Sequence, residues 1–330
     1  MRRRQVCVND TGLFEMTTAS SDAEAKIVEV PSRRYGKYLI RSRIGVGGMA
    51  EVFLAETVDE LGCEVNVALK LMRHGIPQEI FDNEADLMGI LSHPNLVKRL
   101  EIGEAFGRPF IAMEFLVGGD LQVLMATLQQ EGKQFPLTMA MYVILEAAKA
   151  LAYFHQAKTR TGTPLSLTHG DVTPSNIFFS GTGEVKLGDF GVAKSREVNL
   201  GPQDGVAAGK LKYLSPEQSR GEPINAQSDL FSLGIILHEL VLGFHPFDVK
   251  GGSEKAIINA IRNARLALPE SLDRRLGAIL KRALHPEPES RYPTAGAFAG
   301  ELVRYALDNN VLPAQSEMLS WLEESLGLMI

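Results

Sequence analysis

Leu167-Thr168-His169-Gly170-Asp171-Val172-Thr173-Pro174-Ser175-Asn176, followed after a short interval by Gly188-Asp189-Phe190-Gly191, is the stretch that decides how the chain is read. Asp171 and Asn176 share one loop, ahead of the apolar run Ile177-Phe178-Phe179, which predicts a strand. Asp189 comes after a second short strand, Glu184 to Leu187. A hairpin of this kind brings one carboxylate beside an attacking hydroxyl. It also brings an amide oxygen and a second carboxylate onto a divalent cation. Chemistry on a metal-bound phosphate needs that equipment, because its catalysis is mostly positioning and charge neutralisation. An Asp-x-Gly turn alone carries little weight, and what strengthens it is the company it keeps on either side.

Upstream, Ile44-Gly45-Val46-Gly47-Gly48-Met49-Ala50 stands between the extended segments Tyr38-Leu39-Ile40 and Glu51-Val52-Phe53-Leu54-Ala55. Glycines let backbone N–H groups approach phosphate oxygens with no Cβ in the way. A dinucleotide fold would place a helix after such glycines and an acidic residue about 20 positions on. Here a strand continues, and Lys70 holds roughly that later position. Val67-Ala68-Leu69-Lys70 closes a third strand after the turn Asp59-Glu60-Leu61-Gly62. Glu84 follows in a helical pattern whose apolar face is Phe81, Leu87, Met88 and Leu91, and His93-Pro94-Asn95 ends it. A lone lysine or glutamate is ordinarily a solvated charge.

Composition sets outer bounds. The chain has 330 residues, 45% hydrophobic and 22% charged, the balance of an ordinary globular protein large enough for two lobes. A net charge of −6 argues against nucleic acid or an anionic membrane as the main partner. Two cysteines, Cys7 and Cys63, make no disulfide framework and fit a reducing, cytoplasmic setting. Arg2-Arg3-Arg4 leads into polar residues rather than the apolar core of a signal peptide. Leu230–Leu242 is interrupted by His238 and Glu239 and is too short to span a bilayer. Leu137–His155, apolar nearly all round, is expected to be a buried helix.

Taken together, these motifs resemble the eukaryotic-like (Hanks-type) serine/threonine protein kinases, including their bacterial members, from about Tyr35 to about Leu307. The resemblance implies a bilobal α+β fold, with a small antiparallel sheet carrying one helix and a larger, mainly helical lobe. It divides the chain into a disordered tail (1–34), a small lobe (35–116), a large lobe (117–309) and a C-terminal amphipathic helix (310–330) packed on its own domain. It implies ATP and Mg²⁺, with Mn²⁺ as an alternative ion, and protein substrates; it implies no oligomeric state. Asp171 is then the residue that orients the hydroxyl and accepts its proton, and Asn176 and Asp189 are the metal ligands. Lys70, held by Glu84, grips the α- and β-phosphates. Gly45, Val46, Gly47 and Gly48 cover the phosphates. Ile44, Val52, Ala68 and Phe178 form the purine slot, with Met113 as gatekeeper. Glu114 and Leu116 offer backbone groups to adenine, and Asp120 lies near the ribose. His169 is expected to be structural, stacked beneath Phe190. Glu217 of Ser215-Pro216-Glu217 pairs with Arg291, and Asp229 anchors the loop. All four catalytic and metal-binding side chains are expected to converge between the lobes.

The chain also departs from the family pattern. Ala50 replaces a third glycine. Gly170 replaces the arginine that holds a phosphorylated activation-loop residue, and Val192–Leu214 contains no threonine, only Ser195 and Tyr213 as hydroxyl candidates. Receptor and acceptor are missing together, so the loop is expected to need no phosphate switch. The family places a lysine two residues after the catalytic aspartate and a threonine after the activation-loop glycine. Here those positions hold Thr173 and Lys210, as though exchanged, so Lys210 is expected beside Asp171 with Thr173 as its hydroxyl neighbour. The same departures keep a second possibility open, a catalytically silent scaffold that binds nucleotide and partner proteins. A fold of this kind acting on a small molecule is a third.

Overall fold

The computed structural model describes residues 28–73, 75, 78–159, 161–189, 208–248, 253–264 and 266–327. It divides into two units, one built from the chain up to Ala85 with Lys98–Phe115, the other from Asp86–Val97 with Leu116–Leu326. Their architecture is α+β, an antiparallel sheet in the first and a mainly helical second.

In the first unit, β1 (Val28–Tyr35), β2 (Tyr38–Val46), β3 (Ala50–Val58), β4 (Glu64–Met72), β5 (Arg99–Ala105) and β6 (Arg108–Glu114) make one sheet in the order β1-β2-β3-β4-β6-β5. Every neighbouring pair is antiparallel. Alternation sorts the side chains by face. Ile40, Phe53, Ala55, Leu69 and Ala112 point into the buried cluster, closed by Tyr38 and Phe110 ring edge to ring face. By register, Val52, Leu54, Ala68, Lys70 and Met113 lie on the other face. Helix α1 (Gln78–Ile90), within which the division between the units falls, buries Phe81, Ala85 and Met88, spaced to fall on one side.

Strand β1 corrects the expected tail. Residues 1–27 lie outside the described residues, but Val28–Arg34 are strand and not disordered. The pairing partner, β2, is what makes them so. Pro31 falls within a register shift on the sheet edge, where its missing donor costs no ladder bond, and that proline with two arginines hides the strand pattern.

The second unit surrounds α3 (Leu137–His155), which follows α2 (Leu121–Gln130). Helix α3 is long and apolar enough to cross a membrane by composition, yet it is largely buried. It packs against α5 (Ala226–Leu242), α8 (Ala295–Asp308) and the hairpin of β7 (Ile177–Phe179) and β8 (Val185–Leu187). Helices α4 (Pro216–Arg220), α6 (Glu254–Asn263), α7 (Arg274–Ala283) and α9 (Gln315–Leu326) complete the unit. Asp86–Val97, expected in the small lobe, belongs here because it hydrogen-bonds β8. Leu187 N–H donates to Asn95 O at 2.8 Å, and Val97 N–H donates to Leu187 O at 2.9 Å.

The expected partnership of Glu217 and Arg291 is present as a bidentate pair, at 2.7 and 2.8 Å, between two residues that are almost wholly buried. Ser228 Oγ also donates to Glu217 at 2.6 Å. Burial pushes the Glu217 carboxyl up, but the Arg291 and Ser228 bonds outweigh it and hold the group below its ordinary range. Helix α9 packs on its own unit, burying Met318 and Leu322 and placing Trp321 edge-on to Phe135. It comes so close to the β7–β8 turn that a Cβ at Gly183 would meet Gln315 O at 2.8 Å. Gly183, with φ +79°, satisfies both that approach and the turn.

Truncating Leu322 to Ala will therefore destabilise the protein by about 2–5 kcal/mol, whereas Glu324→Ala on the exposed side of α9 will stay within about 0.5 kcal/mol. Urea unfolding of the two variants checks this, and equal effects would show α9 not to be integral.

Candidate active site

The loop that carries Asp171 is held by a buried carboxylate. Asp229, in the first turn of α5, accepts from His169 N–H and Gly170 N–H, both at 2.8 Å, and from His155 Nε2–H at 2.7 Å. A carboxylate this buried is tolerable because hydrogen bonds replace its lost water. Gly170 has φ +73°, a conformation costly for a side chain, and its carbonyl accepts from Gln218 Nε2 at 2.8 Å. His169 is wholly buried and structural, as expected. Its Nε2–H donates to Gly188 O at 3.1 Å and its Nδ1 accepts from Asp171 N–H at 3.3 Å, which ties the loop to the residue before Asp189. Phe190, its expected stacking partner, lies outside the described residues.

Four polar side chains meet at the end of the β7–β8 hairpin. Asn176 Nδ2 donates to Asp171 O at 2.8 Å and to Asp171 Oδ2 at 3.0 Å, which leaves Oδ1 as its atom for a cation. Lys210 forms an ion pair with Asp171 Oδ2, and its Nζ lies 3.8 Å from Asp189 Oδ2. Asp189 has a left-handed backbone, φ +62°. Lys210 is thus beside Asp171 as the sequence predicts. Thr173 stands at the N-cap of the 3₁₀ turn Pro174–Asn176, where its Oγ1 is 3.0 Å from Ser175 Oγ.

Lys210 arrives on a second 3₁₀ segment, Ala208–Tyr213, bolted to α5 and the loop after it. Tyr213 OH donates to Glu239 Oε2 at 2.8 Å, Ser232 Oγ donates to Tyr213 O at 2.7 Å, and His245 Nε2–H donates to Lys212 O at 2.9 Å. Burial raises the Glu239 carboxyl to about 7 and depresses the His245 imidazole to about 4. Sequence reasoning missed Glu239, which reads there only as an interruption of an apolar helix. It missed Gln218 too, whose sole signal, the capping box with Ser215, describes its backbone duty and not its reach to Gly170.

In the first unit, Lys70 stands opposite Val52 and Ile111, and Ala68 opposite Leu54 and Met113. Val52, Ala68, Lys70 and Met113 therefore share the face away from the core. Leu54 shares it too, a residue that alternation could have assigned. Ile44 lies on β2 before the glycine turn, where Gly45 pairs with Val52, Val46 with Glu51, and Gly47 N–H donates to Ala50 O at 2.8 Å. Gly48 completes that turn. The Glu84 side chain lies outside the described residues, as do residues 190–207 and with them Ser195. Glu114 N–H donates to Lys98 O at 3.0 Å and its carboxylate accepts from Lys98 N–H at 2.7 Å.

In the second unit, Leu116 O accepts from Gly119 N–H at 3.2 Å. Asp120 caps α2, accepting from Val123 N–H at 2.9 Å; burial raises its carboxyl despite those backbone bonds. Phe178 bridges to Asp120 through the backbone, and its ring lies where a Cβ on Gly188 would meet it at 3.1 Å. Asp171, Asn176, Asp189 and Lys210 are thus brought together in the second unit, while Lys70 belongs to the first.

Residues 38–302 match the protein kinase domain family model. Among curated proteins, tyrosine-protein kinase MasK of Myxococcus xanthus is 36% identical over 277 residues, covering 81% of this chain and 43% of that protein. Serine/threonine-protein kinase PknB of Mycobacterium tuberculosis is 34% identical over 291 residues, covering 83% and 44%. PknB of Mycobacterium leprae is 31% identical over 287 residues, again 83% and 44%. The chain spans less than half the length of these relatives.

The Tyr213–Glu239 contact has a pH signature. Because the folded-state value of Glu239 is raised to about 7 from an ordinary 4.5, its contribution is fully present below about pH 4.5 and is lost as pH rises through 7. Glu239→Gln abolishes that titration and keeps an acceptor for Tyr213. The melting temperature of the variant minus that of the parent will therefore be larger at pH 8 than at pH 5. A pH-independent difference would refute this.

Proposed function

We propose a function from one premise: this chain belongs to the protein kinase family, in its bacterial Hanks-type branch. It transfers the γ-phosphoryl group of ATP to protein hydroxyls, of serine or threonine, with Mg²⁺ as the metal and in the cytoplasm. The observation that carries this is the meeting of Asp171, Asn176 and Asp189 on one braced hairpin. A metal fits them chemically, since an amide oxygen and a carboxylate are hard donors, and Mg²⁺ ordinarily takes one or two protein carboxylates and completes its shell with water and phosphate oxygens. When bound, the cation supplies charge neutralisation on the phosphates.

The rest is the work of the chain's own residues. Asp171 orients the incoming hydroxyl and takes its proton. Asn176 aims Asp171 through two hydrogen bonds. Lys70 counters charge on the α- and β-phosphates, and the Gly45–Gly48 turn presents N–H groups to them. In the first unit Ile44, Val52, Ala68 and Met113 offer apolar surface to a purine and Glu114 a backbone partner; in the second Phe178 offers an apolar ring, Leu116 a backbone partner and Asp120 a carboxylate for a ribose. Gly170 has no side chain with which to grip a phosphorylated residue, so activity does not await that modification. Preference for serine and threonine is supported by the names of the PknB relatives; MasK, named a tyrosine kinase, supports the other choice.

A second possibility, a silent scaffold, is favoured by one contact: Lys210 sits on the carboxylate that must accept the proton. Radiolabelled ATP with a generic protein substrate separates the two. The parent chain will label serine and threonine, Asp171→Asn will lose at least about a thousandfold, and phosphatase treatment beforehand will leave the rate within about twofold. Nucleotide binding without transfer would establish the scaffold, and phosphotyrosine as the sole product would overturn the serine/threonine assignment.

A further inference from the structure

We propose that Lys210 is the positioning cation of this site, so that the segment Ala208–Tyr213, and not the catalytic loop, delivers the ammonium on which turnover depends. This rests on the kinase reading above and adds which residue, on which element, completes the site.

Lys210 bonds one oxygen of Asp171, the oxygen that Asn176 Nδ2 also approaches at 3.0 Å, and lies 3.8 Å from Asp189. Two carboxylates close enough to share one ammonium would repel each other without it, and would also repel an incoming polyphosphate. The ammonium has three donors. It can therefore hold Asp171 in place and still face a third anionic oxygen. It is only partly exposed, 30% by side chain, so solvent screens it less than a surface lysine. Its seat is also built: Tyr213, three residues on, is anchored through Glu239 and Ser232, and Lys212 through its carbonyl to His245. The exposed Lys212 side chain has no such place.

Thr173 identifies where a cation on the loop itself would stand. It is two residues after Asp171 on the same loop, with an extended backbone, φ −135° and ψ 159°. It is 3% exposed, too enclosed to accept a lysine without displacing what surrounds it. The two positions are alternatives for one charge. Seating of the 208–213 segment thereby becomes a condition for catalysis that requires no phosphate.

The test is a double-mutant cycle on the full chain, reading kcat and the KM for ATP separately. Lys210→Thr will lower kcat by about 100-fold with the KM for ATP within about threefold, and Lys212→Ala will change neither. Thr173→Lys alone will be impaired, because it crowds a second ammonium into the site. The exchange Thr173→Lys/Lys210→Thr will recover at least tenfold of the kcat lost by Lys210→Thr. A purely structural role for Lys210 predicts no such recovery. Lys210→Arg, which keeps the charge, serves if Lys210→Thr does not fold, and will retain more than a tenth of kcat. Full activity of Lys210→Thr, or an exchange variant no better than Lys210→Thr, overturns the proposal. A parent chain without transferase activity instead overturns the function on which it rests.

Discussion

One buried carboxylate organises the second unit. Asp229 accepts the backbone N–H groups of His169 and Gly170 and the ring N–H of His155, at 2.7–2.8 Å. These three bonds connect the helix α5, the helix α3 and the loop that carries Asp171. The charge stands at the N-terminal turn of α5, where the helix dipole favours an anion. Burying a charge is costly unless its partners are in place, and removing one partner of such a group is strongly destabilising. The loop therefore has one conformation in which this carboxylate is satisfied, and that conformation holds the adjoining Asp171 and, through Asn176 and His169, the hairpin end beside it.

The same logic recurs outward from the loop. Glu217 and Arg291 hold α4 by a bidentate pair, and Gln218 on that helix reaches back to Gly170 O. Glu239, Ser232 and His245 hold the 208–213 segment from the opposite side. Each tie joins residues far apart in sequence, and each satisfies a polar group that would otherwise be buried alone. These braces hold the two partners of an ion pair of direct chemical consequence, Lys210 with Asp171. The first unit places its residues by another means: strand register alone puts Val52, Ala68, Lys70 and Met113 on a common face, because side chains alternate strictly along a strand.

The sequence by itself determined the elements and the chemical inventory. Extended and apolar runs announced five of the eight strands, an all-apolar stretch announced α3, and the residue types at 171, 176, 189 and 70 announced phosphate chemistry, because those patterns act over a few neighbours. The family resemblance, and not the local pattern, implied Glu217–Arg291, Asp229 as the anchor of the loop and Lys210 beside Asp171. Other features needed the fold. Strand β1 exists through pairing with β2, and its proline and arginines conceal it. The hydroxyl contact of Thr173 with Ser175 is one that no motif names. Leu54, Gln218 and Glu239 acquire their roles from partners brought close only by tertiary packing. Local periodicity is written into the chain, whereas the satisfaction of a buried charge or hydroxyl is decided by whatever the folded structure places within 3 Å of it.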